Sequence, residues 1–284
     1  MALFQVLTLP FIICGALLSL VTVIFLVYLL VLVRPRGEEP KDKSLLCDYA
    51  HRGLHGNGVP ENSLTAFELA CRGGYGIELD IQLSSDGEVV VFHDGTLQRM
   101  TGAEGKVCDF TAAELSELRL AGTDEKIPTL KEVLSLVDGR VPLLVELKGS
   151  TLDTTLCDKA YELLKDYRGS FCLESFNPWL VKGIKELMPD RFCGLLYSNM
   201  VRDKSRDGKD ITALDVVVSA MALTFVCKPN FIAYNEEDRD SFPVMLSTRL
   251  YKTPRFIWTL TSKAAVDKAH ALGEYPIFEK IDRN

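Results

Sequence analysis

No charged side chain occurs in the first 33 residues of this 284-residue chain, and residues 11–33 also lack His, Asn and Gln. A helix of ~20 apolar residues crosses the bilayer hydrocarbon, so this run of 23 is long enough to span. A cleaved signal peptide would start with positive charge, have a shorter apolar stretch and end in small residues. Here no Lys or Arg precedes the run, and the run is too long. A buried core helix fits its length least well. Residues 1–33 therefore predict a single N-terminal membrane anchor. Arg34, Arg36, Lys41 and Lys43 follow it at once, which predicts a cytoplasmic placement for the rest of the chain. CxxC pairs are also missing. Of the eight cysteines Cys14 falls in the apolar run, and seven is an odd number for a secreted disulfide framework. Buried free thiols in a reducing compartment are the expectation. There is no excess of basic residues: the net charge of −7 lies wholly after residue 33, which disfavours nucleic acid as a partner. With 25% charged and 47% hydrophobic residues, a disordered or collagen-like chain is excluded.

Residues 34–43 (RPRGEEPKDK) read as a short polar linker. From residue 44 to 284 short apolar runs alternate with helical patterns. Strands are expected at 45–50, 76–83, 141–147, 170–176, 192–197, 231–234, 256–260 and 276–278. Helices are expected at 63–71, 129–137, 154–167, 178–187, 211–223, 242–251 and 262–272. Such alternation implies an α/β chain of parallel strands with crossover helices. About eight units over ~240 residues match a (β/α)8 TIM barrel. A doubly wound open sheet is the rival, without a GxGxxG to support it. One stretch breaks the rhythm. Residues 89–93 form a further apolar strand after Asp86-Gly87, a hairpin signal. Residues 94–128 then make a small, mostly polar insertion with one short helix at 111–118.

In a barrel the reactive groups belong at the carboxyl ends of strands. The first strand runs into His51-Arg52-Gly53, the second carries Glu78-Leu79-Asp80, the hairpin strand ends in His93-Asp94, and the third ends in Glu146-Leu147-Lys148. Alternate strand residues share a face, so Glu78 and Asp80 point together. Two like charges on a buried strand are costly, and a bound cation would relieve that cost. Glu146 lies at similar depth on the next strand. Three oxygen ligands suit a hard ion, Mg2+ or Ca2+, rather than Zn2+. The plainer alternative is a solvated edge strand. Of four histidines, His51 and His93 stand at strand ends beside these carboxylates and fit proton transfer. His55 could line the mouth or sit in solvent. Arg52 and Lys148 suit an anionic substrate, although Lys148 could merely neutralise a neighbouring carboxylate. Together these groups point to phosphoester cleavage.

The ordered motifs His51-Arg52-Gly53, Pro60-Glu61-Asn62-Ser63, Glu78-Leu79-Asp80, Val91-Phe92-His93-Asp94 and Glu146-Leu147-Lys148 resemble the glycerophosphodiester phosphodiesterase family, in a membrane-anchored form of bacterial type. Ser175-Phe176-Asn177-Pro178 and Trp258-Thr259 fit as well, and the resemblance extends over about residues 47–280. It implies a TIM barrel with an insertion after the second strand, and metal ligands at Glu78, Asp80 and Glu146 with help from Glu61. It further implies His51 and His93 as the acid–base pair, and Arg52 and Lys148 on phosphate. Asn62 would order the loop after the first strand. Trp258 would line the glycerol side of the mouth, unless it is a core aromatic. Pro276-Ile277-Phe278-Glu279 departs from the family, standing where many members carry a Thr-Asp-Pro run. The implied reaction is metal-dependent hydrolysis of glycerophosphodiesters to glycerol 3-phosphate and an alcohol, with the glycerol 2-hydroxyl or a metal-bound water as attacker. Lysophospholipids are the alternative substrate, which an apolar trough at the mouth, especially within 94–128, would favour. A phosphate-binding barrel without turnover is a further alternative.

Overall fold

The computed structural model describes residues 2–149 and 152–279; the last five residues of the predicted barrel segment, 280–284, lie outside the described residues. Nine strands form one sheet: β1 Tyr49–Ala50, β2 Gly76–Leu83, β3 Val89–Val91, β4 Leu143–Leu147, β5 Phe171–Ser175, β6 Cys193–Tyr197, β7 Phe231–Asn235, β8 Arg255–Leu260 and β9 Tyr275–Phe278. Their order is β1-β9-β8-β7-β6-β5-β4-β2-β3, and β1 also pairs with β2. That extra pairing closes the sheet. Every pairing is parallel except β2 with β3, so eight strands make the barrel and β3 is a hairpin arm on its rim. The (β/α)8 architecture is therefore as expected from the alternation.

The lower barrel is filled with rings. Tyr49, Phe192, Phe231, Phe256 and Ile277 pack together with the Phe231 and Phe256 centroids 4.6 Å apart. Burying one such side chain stabilises by roughly 1.5–3 kcal/mol. Gly194 on β6 is required by this filling, because a Cβ there would lie 2.0 Å from the Phe231 ring. Above this plug the inward positions become acidic, which places the site. Outward residues such as Ile77, Leu79, Ile81, Val145 and Leu173 pack under the helices.

Several elements differ from expectation. The first strand is shorter than 45–50, because Asp42 caps a tight turn over Lys43–Leu45. A helix at Met200–Arg206, capped by the Asn199 side chain, was not expected; its residues MVRDKSR carry no apolar periodicity to reveal it. The expected helix at 211–223 is shorter, Ala213–Ser219, and a separate unexpected one, Thr224–Cys227, follows it. The insertion 94–128 packs Leu97, Met100, Val107, Leu115, Leu120 and Ile127 into a small core with Val90 and Phe92 of the hairpin arm. All eight cysteines are free thiols, and four of them (Cys157, Cys172, Cys193, Cys227) are buried.

At the N-terminus, helix Ala2–Val27 continues through a wider turn, Tyr28–Leu32. Residues Phe11–Leu32 are long and apolar enough to cross a membrane, with a hydropathy of 2.7 and no burial. Residues 34–43 are packed rather than free: Pro35 and Pro40 are buried, and the Arg36 amide donates to the Pro229 carbonyl (2.9 Å).

Candidate active site

Strand alternation lifts Glu78 and Asp80 from β2 onto the inner face of the barrel, where both are buried. Asp80 pairs in register with Glu146 of β4, which in turn pairs with Glu174 of β5. One oxygen from each of Glu78, Asp80 and Glu146 lies within 4.8 Å of the others. Burial first, then the charges of Asp80 and Glu146, pushes the Glu78 carboxyl well above the ordinary carboxylate range. Burial likewise raises Glu146 to about 8, despite the opposing Lys148 ammonium. Asp80 goes the other way: burial would raise it, but Lys148, His93 and Arg52 hold it well below its usual range. Lys148 Nζ sits 2.9 Å from Asp80 and 2.8 Å from Glu146, joining the two strands.

The loop after β1 supplies a second layer. Arg52 and Gly53 adopt positive φ (54° and 78°), which turns the chain back over β2. A Cβ on Gly53 would lie 2.8 Å from the Ala66 Cβ, so only glycine lets the following helix, Leu64–Gly73, pack this closely. The turned Arg52 amide donates to Glu78 (2.8 Å), and Asn62 Nδ2 donates to Asp80 (2.7 Å). Two metal-ligand candidates are thus oriented by neutral donors. Glu61 lies apart from the three carboxylates, accepting from Arg52 (2.8 Å) and Arg99 (2.6 Å).

Both histidines are held by carboxylates. His51 Nδ1 is 3.2 Å from Glu279, while its Nε2 lies 4.0 Å from Glu78. His93 Nδ1 is 2.6 Å from Asp94, which accepts from Arg99 in turn. A carboxylate accepting from Nδ1 leaves Nε2 for the substrate side. Burial lowers the pKa of both imidazoles, against the raising influence of Glu279 on His51 and of Asp80 on His93.

His51, Arg52, Glu78, His93, Glu146, Lys148 and Trp258 line one cavity of about 80 Å3 with Glu174, Phe176, Leu196, Thr259 and Ile277. Asp80 and Asn62 are not among the lining residues; they are joined to them through Lys148 and Asp80 respectively. Trp258 meets Phe176 edge-on, centroids 5.7 Å apart, and its buried Nε1 has no hydrogen-bond partner. The apolar wall therefore comes from β5, β6, β8 and β9, not from 94–128, whose apolar residues fill their own core.

Two site residues escaped sequence reasoning. Glu174 is a fourth carboxyl, pushed up by burial and by Glu78 and Glu146, with Oε2 unpartnered. Its signal was available: it sits in an expected buried strand at the depth of Glu146. Glu279, just past β9, also reaches His55 (3.3 Å), and the departure from the Thr-Asp-Pro run falls at this residue.

The sequence profile of the Glycerophosphoryl diester phosphodiesterase family matches residues 51–278. The chain belongs to that family. A glycerophosphodiester phosphodiesterase of Caldanaerobacter subterraneus subsp. tengcongensis is 40% identical over 161 residues, 52% of this chain and 65% of that protein. Glycerophosphodiester phosphodiesterase 1 of Mus musculus is 30% identical over 206 residues, 69% of this chain and 56% of its own length. The chain thus matches somewhat less than two thirds of these curated relatives. Among solved structures, the Thermotoga maritima glycerophosphodiester phosphodiesterase superposes with a TM-score of 0.63 at 27% identity, covering 82% of this chain and 94% of that one. An Oleispira antarctica phosphodiesterase, solved with the product sn-glycerol-3-phosphate, shares the fold with a TM-score of 0.67 at 24% identity, over 83% of this chain and 93% of that one. Family membership places the predicted motifs inside the matched region.

Proposed function

We propose that the chain hydrolyses glycerophosphodiesters to glycerol 3-phosphate and an alcohol, and that residues 1–33 anchor it in a membrane with the barrel on the cytoplasmic side. The observation that carries the reading of the reaction is the meeting of two carboxylate-held imidazoles and a buried carboxylate cluster in one cavity.

The cluster fits a divalent cation. Its donors are oxygens, its carboxyls repel one another in a buried setting, and an unpartnered Glu174 oxygen lies on the same cavity. Glu78, Asp80 and Glu146 would hold Mg2+ or Ca2+. A bound divalent cation supplies Lewis-acid charge for phosphate oxygens. The chain's own groups supply the rest. Arg52 and Lys148 stabilise the negative charge that builds on the phosphoryl oxygens. One imidazole takes the proton of the attacking oxygen, and the other protonates the departing alkoxide as the P–O bond breaks. Net addition of water leaves glycerol 3-phosphate and the free alcohol. Trp258 and Phe176 offer an apolar wall to the glycerol carbons, with the Trp258 Nε1–H free to donate to a hydroxyl. Glu61 supports the site through Arg52 rather than as a ligand.

The test is glycerol 3-phosphate release from a panel of glycerophosphodiesters, before and after chelation. We expect release to stop with chelator and to return with Mg2+ or Ca2+. Release that is indifferent to chelator, or absent from the whole panel, contradicts the reading.

A further inference from the structure

From its contacts with the barrel, the apolar helix can be oriented. Tyr28 stacks on Phe242, centroids 6.4 Å apart, and Phe242 begins the helix that follows β7, at the carboxyl end of the strands. The Tyr28 hydroxyl donates to the Ala220 carbonyl (2.9 Å). Six residues on, Arg34 covers the Tyr251 ring (5.9 Å), just past the far end of that crossover. The Arg36 amide then reaches Pro229, two residues before β7 begins. Between residues 28 and 36 the chain thus descends from the carboxyl end of the barrel to its amino end. Helix Ala2–Val27 must leave in the opposite direction, past the carboxyl end, where the cavity opens. Its 26 residues rise roughly 39 Å at ~1.5 Å each, more than the ~30 Å of bilayer hydrocarbon. No polar spacer separates it from Tyr28.

A second observation lies on the same side. Helix Ala213–Ser219 (ALDVVVS) packs over the end of β6, its Ser219 carbonyl accepting from the Tyr197 hydroxyl (2.8 Å). It leaves Leu214 62%, Val216 53% and Val217 37% exposed, and Phe242 nearby is 52% exposed. Its one charge, Asp215, is buried against Lys204 (2.8 Å). A surface helix this apolar requires a cover.

We infer that the barrel stands mouth-down on the lipid surface, with helix Ala213–Ser219 resting in the interfacial layer beside the anchor. This rests on the reading of residues 1–33 as a membrane span. The occupant of the exposed apolar face is the bilayer into which the neighbouring helix runs. Orientation follows from the chain path, so it stands apart from any assignment of substrate.

The test uses the full chain reconstituted in phosphatidylcholine vesicles, with an environment-sensitive fluorescent amino acid at one position and head-group spin-labelled lipid as quencher. Probes replace Leu20 in the anchor, Leu214 or Val217 on the apolar helix, and Asp190 in the loop before β6 at the opposite end. Quenching severalfold stronger at 214 and 217 than at 190 is expected, with position 20 blue-shifted. Quenching at 190 equal to or above that at 214 and 217 overturns the orientation while leaving the anchor intact. A position 20 that emits as in water removes the anchor, and the orientation with it.

Discussion

Glu279 is the residue whose role the sequence hid most effectively. It lies just beyond the last strand, and comparison with family motifs draws attention to the Thr-Asp-Pro run it replaces, not to the carboxylate itself. Position on the barrel gives the better guide: an acidic side chain at a strand's carboxyl end, beside the first strand, faces His51. Burial lowers the His51 pKa, and the Glu279 hydrogen bond raises it. Glu279→Gln keeps an acceptor for Nδ1 but removes the negative charge, so whichever limb of the pH–rate bell belongs to His51 moves to lower pH, and kcat falls as the imidazolium loses its counter-charge. A pH–kcat profile superimposable on wild type contradicts the assigned role. Glu78, Asp80 and Glu146 were legible because a period of two puts acids on one face of an otherwise apolar strand. Glu174 carried the same signal on β5, without a neighbouring acid to mark it.

At the scale of elements, strands were read more reliably than helices. Inward and outward strand positions here are both apolar below the site, leaving compact runs between turn residues. The pieces between β6 and β7 were harder, since Met200–Arg206 is mostly polar and Ala213–Ser219 is apolar on its exposed face as well, so neither carries a helical period. The insertion after β3 read as a polar excursion, yet its scattered apolar residues, the fully buried Leu115 among them, gather into one small core against β3. Leu115→Ala removes the centre of that small core and should cost about 2–5 kcal/mol locally. Hydrogen exchange is expected to accelerate across 94–128 while β5 to β8 keep their protection. Uniform acceleration through the barrel strands, or none anywhere, contradicts an independently packed insertion.

On the scale of the molecule, the barrel divides into an aromatic plug at one end and an ionisable cluster at the other, and the closed sheet brings β1, β2, β4, β5 and β9 to a common rim. The closure itself was predictable from eight alternating units. The path of residues 28–43 was not, because its contacts with Ala220, Phe242 and Pro229 join positions about two hundred residues apart. In the proposed reaction, two imidazoles on this rim move the protons of phosphodiester cleavage beside a carboxylate cluster that would hold a cation. The most direct measurement is the rate of glycerol 3-phosphate release by His51→Ala and His93→Ala under saturating divalent cation. Each variant is predicted to lose roughly 10²–10⁴-fold in kcat while keeping the wild-type Tm. Wild-type turnover in both folded variants would contradict it.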